Sequence, residues 1–284
     1  MERQKRVLAI HDISCVGRCS LTVALPILSA AGLDTGVLPT AVLSTHTGGF
    51  TGFTYRDLTE DIAPISQHWQ SLGLRFDALY SGYLGSFDQI ALVGQLFDDF
   101  RTQNNLILVD PVMGDNGQLY PLYSPQMAQG MAQLCGKADI IVPNLTEAAF
   151  MLDQPYLGEV YTQAQIEQLL RDLSHLGARQ VVLTGVSLKA GQLGAAAYDA
   201  RTGAITYAFC EKIEGYFHGT GDVFGSALLA ALMNGFALDS ATQVAVTYTR
   251  RCIELTQQLA QEARYGVCFE RALGELIDML GLRA

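Results

Sequence analysis

Between Gly215 and Ser226 the chain reads GYFHGTGDVFGS and runs directly into the apolar helical pattern Ala227 to Met233. Glycines let the backbone enter a helix with its first amides exposed. The amides of Gly219, Thr220, Gly221 and Asp222 then form an anion hole reinforced by the helix dipole. Phosphate is the natural guest of such a hole. Asp222 stands out, because a carboxylate beside a phosphate repels it unless it has a task of its own. Two readings are open: a helix cap that accepts amide hydrogen bonds, or a general base that takes the proton of a hydroxyl attacking in line with a terminal phosphoryl group. In either reading the same amides are expected to hold its pKa low. His218, just before the glycines, reads as a loop residue or a nucleotide-side contact.

Further acidic groups follow two apolar runs. LILVD leads into Asp110-Pro-Val-Met-Gly-Asp115, and Val142-Pro-Asn-Leu-Thr-Glu147 repeats the arrangement after the next run. Carboxylates at strand ends are the oxygen ligands Mg²⁺ takes, mostly through water and with phosphate oxygens completing its shell. For Asn144 and Glu147 a second reading stands beside this one, a helix N-cap with its acidic partner three residues on. His11, Cys15 and Cys19 are spaced four apart, but the segment starts on a strand, so a zinc site is disfavoured. The six cysteines show no paired spacing and read as free thiols, mostly in the core.

These residues need a frame that brings segments a hundred residues apart to one edge. Short β-rich runs alternate with longer helical patterns, the signature of βαβ units and a mostly parallel buried sheet. Strands are predicted at Val7–His11, Thr35–Leu43, Ala78–Ser81, Leu106–Asp110, Ile140–Val142 and Val181–Thr184. Helices are predicted at Leu21–Ala31, Ile62–Leu72, Asp88–Thr102, Pro125–Cys135, Thr146–Leu152 and Gln163–Leu176. The runs Ala195–Tyr198 and Ile205–Phe209, joined by Ala200 to Gly203, read as an antiparallel edge hairpin. Helices at Asp222–Asn234, Ser240–Glu262 and Phe269–Leu280 close the chain. The uncharged segment Ser44–Tyr55, STHTGGFTGFTY, is a loop or short edge strand: a substrate flap or an ordinary surface hairpin. No repeat or linker divides the sequence, which reads as a single domain, 1–284, an α/β doubly wound sandwich.

A net charge of −10 with no basic run argues against nucleic acid or an anionic membrane surface as a partner. The apolar run 227–233 is about a third of a membrane span of roughly 20 residues, and the N-terminal apolar stretch is too short for a signal peptide. A cytoplasmic protein acting on small molecules is expected.

Taken together, GTGD at 219–222, DPVMGD at 110–115, PNLTE at 143–147 and STHTG at 44–48 resemble, in this order, the pyridoxal kinases of the ribokinase superfamily. The resemblance implies a three-layer α/β/α ribokinase-like sandwich with a small flap over the substrate. It also implies transfer of the γ-phosphoryl group of ATP to the 5′-hydroxyl of pyridoxal, pyridoxine or pyridoxamine, with Mg²⁺, commonly K⁺, and a homodimeric state. Carried over by motif, Asp222 is the base and Gly219, Thr220 and Gly221 the anion hole. Asp110 and Glu147 handle metal and phosphates, while Asp115, Asn144 and Thr184 lie on the nucleotide side. Thr45, His46 and Thr47 cover the pyridine ring, and Tyr83 contacts it. Where the family usually has a serine against the ring, this sequence has Asp12, which can still accept a hydrogen bond from the ring hydroxyl or a protonated ring nitrogen. Hydroxymethylpyrimidine (phosphate) kinases of the same superfamily are the alternative, although they often carry cysteine in place of Asp222. Sugar kinases rank behind, since their N-terminal glycine-rich motif is missing. A binding protein without turnover is disfavoured by the presence of Asp222, Asp110 and Glu147.

Overall fold

The computed structural model describes residues 3–120 and 123–283. The N-terminal run RVLAIHDISCV forms β1 (Arg6–Val16), the strand from which the sheet grows in both directions. On one side it pairs in parallel with β2 (Asp34–Thr45), and β3 (Tyr55–Asp57) adds an antiparallel edge. On the other side follow β4 (Ala78–Ser81), β5 (Leu106–Val109), β8 (Ile140–Ile141) and β9 (Gln180–Val186), all parallel. The antiparallel hairpin β10 (Gln192–Asp199) and β11 (Ala204–Glu211) ends that side. A separate two-stranded ribbon, β6 (Gly114–Asp115) and β7 (Gln118–Leu119), stands off the sheet.

Strand residues alternate between two cores, as the period of two dictates. Leu8, Ile10, Leu79, Ile107, Val109, Val181 and Leu183 pack against α2 (Thr59–Ser71), α3 (Phe87–Phe100), α4 (Pro125–Cys135), α5 (Leu145–Met151) and α6 (Gln163–Ser174). Val7, Ala9, Ala78, Tyr80, Leu108 and Val182 face α1 (Leu21–Ala30), α7 (Thr220–Met233), α8 (Leu238–Gln258) and α9 (Leu273–Met279). Burial of both faces explains why the strands read as continuous apolar runs. The expected three-layer α/β/α sandwich is what the chain forms.

The differences from expectation lie at element ends. β1 and β2 outrun their apolar cores because their mutual pairing resumes after a bulge between His11 and Ile13 and continues to Val16 opposite Thr45. α8 stops at Gln258, four residues early, and the last helix opens as a 3₁₀ turn over Glu270–Ala272. Trp69 packs edge-on against Phe76 at 5.8 Å. Only three of the six cysteines, Cys135, Cys252 and Cys268, are buried, so the expectation that most sit in the core is corrected. Cys15 is exposed because it lies beyond the bulge, where β1 leaves the core.

Candidate active site

The GTGD segment folds as α7 and its entry turn. Gly219 occupies the N-cap with φ 74°, and a Cβ there would lie 2.0 Å from the carbonyl oxygen of Arg18, so only glycine fits. The Thr220 hydroxyl donates to the carbonyl of Phe217 at 3.3 Å and closes the turn. No side chain caps this helix. Asp222 sits inside the first turn and does not act as the cap, so the first amides stay free for an anion. Burial pushes the Asp222 carboxyl up to about 7, and the nearby Asp12 adds to the rise; the one amide that opposes it belongs to Ser20. The expected low pKa is therefore corrected: the amides of the hole do not solvate this carboxylate, and desolvation wins.

Asp110 follows β5 and is buried beside the hole. Its Oδ2 is 3.9 Å from where a Cβ on Gly221 would be, and among the described residues its carboxylate has no hydrogen-bond donor. Burial, with Glu147 and Asp222 nearby, holds its pKa well above the usual carboxylate range. Glu147 is engaged differently. Its two oxygens accept from the amides of Met113 at 3.1 Å and Asn144 at 2.8 Å, while Asn144 Oδ1 accepts from the amides of Thr146 and Glu147 at 2.8 and 2.9 Å. That is a complete capping box on α5, and it ties the helix to the 113–114 backbone, since Asn144 Nδ2 also donates to the Gly114 carbonyl at 2.9 Å. Burial outweighs those amides and raises Glu147 to about 8. Thr184 lies beside Asn144, its amide donating to the Pro143 carbonyl at 2.9 Å. Asp115 sits on the β6–β7 ribbon, whose Asn116-Gly117 turn has positive φ at both residues, the preferred chemistry for a two-residue hairpin. Its carboxylate accepts from the Asn116 main-chain amide at 2.9 Å and from the Asn116 side-chain amide at 3.1 Å.

For Mg²⁺, the donor set fits an ion carried mainly by phosphate and water. Asp110 offers a buried carboxylate without a donor, whereas Glu147 already has both oxygens engaged. Among the described residues no three His, Cys, Asp or Glu side chains converge into a metal cage. His11 is deep in β1 against the Tyr80 ring, with both ring nitrogens unpartnered and its pKa pushed down to about 3 by burial.

On the flap side, Asp12 is buried at the bulge in β1, its Oδ2 accepting from Ser14 Oγ at 3.3 Å, and burial raises its pKa. Tyr83 and Tyr55 lie within electrostatic reach of it. Thr45 ends β2 opposite Val16, and Thr47 is exposed. His46 is buried, its Nε2 2.7 Å from the Arg264 carbonyl and its ring 5.0 Å from Phe50 and 5.1 Å from His218. Phe50 in turn meets Tyr265 at 5.1 Å, with the Arg264 guanidinium over both rings. A Cβ on Gly48 would lie 2.6 Å from His218. His218 thus packs under the flap, which corrects its reading as a nucleotide-side contact. Ser20, Tyr55, Arg264 and Tyr265 were not singled out from sequence. Tyr55 closes the STHTGGFTGFTY segment and could have been found there; the others carry no sequence signal.

The N-terminal amides of α7, Asp222, Asp110 and Asp12 lie near one another past the carboxyl ends of the parallel strands, where an open α/β sheet binds its ligands. Such an arrangement defines a phosphotransferase of ribokinase-like fold. Residues 37–267 match the family model of phosphomethylpyrimidine kinase. A pyridoxal kinase structure from Lactobacillus plantarum is 31% identical, with a TM-score of 0.90 and 98% of each chain covered. A Bacteroides thetaiotaomicron protein named for the phosphomethylpyrimidine kinases, crystallised with pyridoxal, is 38% identical, with a TM-score of 0.92 and 96% of each chain covered. The pyridoxine/pyridoxal/pyridoxamine kinase of Bordetella avium is 28% identical over 265 residues, 88% of this chain and 85% of that protein. The chain belongs to this family, among the vitamin B6 kinases of the ribokinase superfamily.

Proposed function

We propose that the chain transfers the γ-phosphoryl group of ATP to the 5′-hydroxyl of pyridoxal, pyridoxine or pyridoxamine, with Asp222 as the general base. One observation carries this reading: Asp222 stands within the first turn of a helix whose N-terminal amides no side chain claims, and its basicity is raised by burial. The flap residues Thr45, His46 and Thr47, with Tyr83 and Tyr55, enclose the ring, and Asp12 accepts a hydrogen bond from its hydroxyl or protonated nitrogen. Asp222 takes the proton of the attacking 5′-hydroxyl. The amides of Gly219, Thr220 and Gly221 stabilise the negative charge that moves with the phosphoryl group. Asn144, Asp115 and Thr184 orient the nucleotide, and Glu147 holds the 113–114 backbone against it. Mg²⁺, held by the phosphates with Asp110 nearby, would neutralise phosphate charge. The flap and the β6–β7 ribbon exclude water, which would otherwise divert ATP to hydrolysis.

The test is an ADP-release assay with Mg·ATP on each of the three vitamers and on hydroxymethylpyrimidine, with and without K⁺. Turnover on the vitamers supports the reading. Turnover on the pyrimidine alone would keep the chemistry and replace the acceptor, a second reading favoured by the name of the matching family model. Binding of a vitamer without ADP would identify a carrier. A homodimer is the working state the resemblance implies, with the cytoplasm as the compartment expected from the sequence, and sedimentation in solution reads the first of these.

A further inference from the structure

We propose that Tyr265 is a positioning residue for the flap: its ring, with the main-chain carbonyl of Arg264, seats Phe50 and His46 and so holds Thr45, His46 and Thr47 in place. The flap has little to order it from within. Its tip, from His46 to Phe50, contains two glycines and no acidic or basic group beyond the imidazole, and fixing such a segment costs more backbone freedom than its own few apolar atoms offset. The contacts that seat it come from the far end of the chain. Phe50 stands edge-on to the Tyr265 ring at 5.1 Å and to the His46 ring at 5.0 Å. The Arg264 guanidinium lies 5.5 Å from the Phe50 ring centre and 5.0 Å from that of Tyr265, and it pairs with Glu262 at 2.8 Å. His46 Nε2 is 2.7 Å from the Arg264 carbonyl, which can only accept, so that nitrogen carries the proton. The flap backbone comes equally close: a Cβ on Gly49 would lie 3.6 Å from the Arg264 Cβ and 3.4 Å from His218 Nε2.

The turn that holds the flap is itself fixed. The Tyr265 carbonyl accepts from the Arg18 amide at 2.7 Å, and the Val267 amide donates to the His218 carbonyl at 3.3 Å. Val267, Cys268 and Phe269, which follow directly, are buried. The Arg18 carbonyl is wedged between two glycines, since a Cβ on Gly266 would lie 2.4 Å from it and one on Gly219 2.0 Å. The flap is therefore seated against the same support as the turn that carries Asp222. At its base the flap closes on itself, the Ser44 amide donating to the Thr54 carbonyl at 3.2 Å and the Thr54 amide to Ser44 Oγ at 2.9 Å, which leaves the tip to the clasp. A seated tip keeps the acceptor hydroxyl turned toward Asp222 and keeps water from the phosphoryl group. This rests on the reading of residues 45–47 as cover for the vitamer ring.

The experiment makes Tyr265→Ala and Phe50→Ala, singly and together, in the full-length chain. It reads amide hydrogen exchange of residues 44–55 without ligand, then KM for pyridoxal and for ATP, kcat, and ADP release in the absence of a vitamer. Each single variant should speed exchange across the flap about tenfold and leave the core segment after Val267 unchanged, since the opening is local. KM for pyridoxal should rise about tenfold, the worth of a ring pair with its buried faces. KM for ATP should move less than about twofold, because the nucleotide does not meet the flap. ADP release without a vitamer should rise, since an unseated flap admits water. The double variant should show no more than either single one, and Tyr265→Phe, which keeps the ring, should restore the parent values. Phe50→Ala carries the test if Tyr265→Ala folds poorly, because Phe50 belongs to neither core. Unchanged exchange, additive effects, or faster exchange with an unchanged KM for pyridoxal would overturn the proposal. So would equal loss on both substrates with a lowered melting temperature, which a merely structural residue gives. Faster exchange in a chain that phosphorylates no vitamer would support the clasp and count against the acceptor assignment instead.

Discussion

Asp222 shows how one side chain is prepared for its task. In water its carboxyl would be a weak base, and burial lifts it to about 7, close to where a general base works best. Asp222→Asn should lower kcat by roughly 10²–10⁴-fold, the usual range for losing a general base, with KM for ATP changed by less than about threefold. With Asp222 as the base the ionised form is the active one, so kcat/KM for the vitamer should rise with pH and level off above about 7, and a profile flat from pH 5.5 to 8 would count against the assignment. The residue types and the glycine that opens the helix at 219–222 were legible in the sequence. The pKa was not, because spacing alone does not say how deeply the closed fold buries a carboxylate.

At the level of elements, two local rules do most of the positioning. The Asn144–Glu147 capping box holds α5 and the 113–114 backbone together, so Asn144→Ala should destabilise the protein by about 1–2 kcal/mol and raise KM for ATP, as read by denaturant melts and steady-state kinetics. The second rule is the glycine at the N-cap of α7. Gly219→Ala meets the Arg18 carbonyl with a left-handed backbone, so it should both lower stability and abolish most turnover, while Gly235→Ala, also at positive φ but with nothing within 4 Å of the added carbon, should affect stability alone. The alternation of apolar runs made the strands and helices legible, down to Pro125–Cys135 and Ala78–Ser81 at their full lengths. The ends of β1 and β2 were not, because pairing between strands carries polar residues such as Ser14 and Thr45 into the sheet where their own composition suggests a turn.

Over the whole molecule, Asp12, Asp110, Glu147 and Asp222 are all held above their ordinary pKa values, chiefly by burial. Each then binds its proton more tightly folded than unfolded. Between the ordinary carboxylate range and about 8 the native state holds more protons than the unfolded chain, so stability falls as pH rises through that window. The ligand-free protein should melt at a higher temperature at pH 5 than at pH 8, and Asp110→Asn should gain stability at pH 8 while losing activity, the exchange expected where a site is tuned for chemistry. Asp199, held below its ordinary range by Arg201, acts the opposite way but only at lower pH. The sandwich itself was legible from the rhythm of the chain, and so was the edge hairpin. The closing of the flap onto His218 and the 263–266 turn was not, because these contacts join segments whose sequences have no relation to one another.

The central place of β1 has a consequence for how the protein is made. β1, which carries Asp12, is made before the strands that flank it, β2 and β4, and these follow soon after, so the α2–α6 face can assemble while the ribosome is still at work. The 219–222 turn and α7 follow all the strands of the sheet, and until they emerge the opposite face, from Val7 and Ala9 to Val182, has little beyond α1 to cover it. A nascent or truncated chain ending before Thr220 would therefore expose a broad apolar surface and lack Asp222, which makes that interval the one in which a chaperone has something to hold.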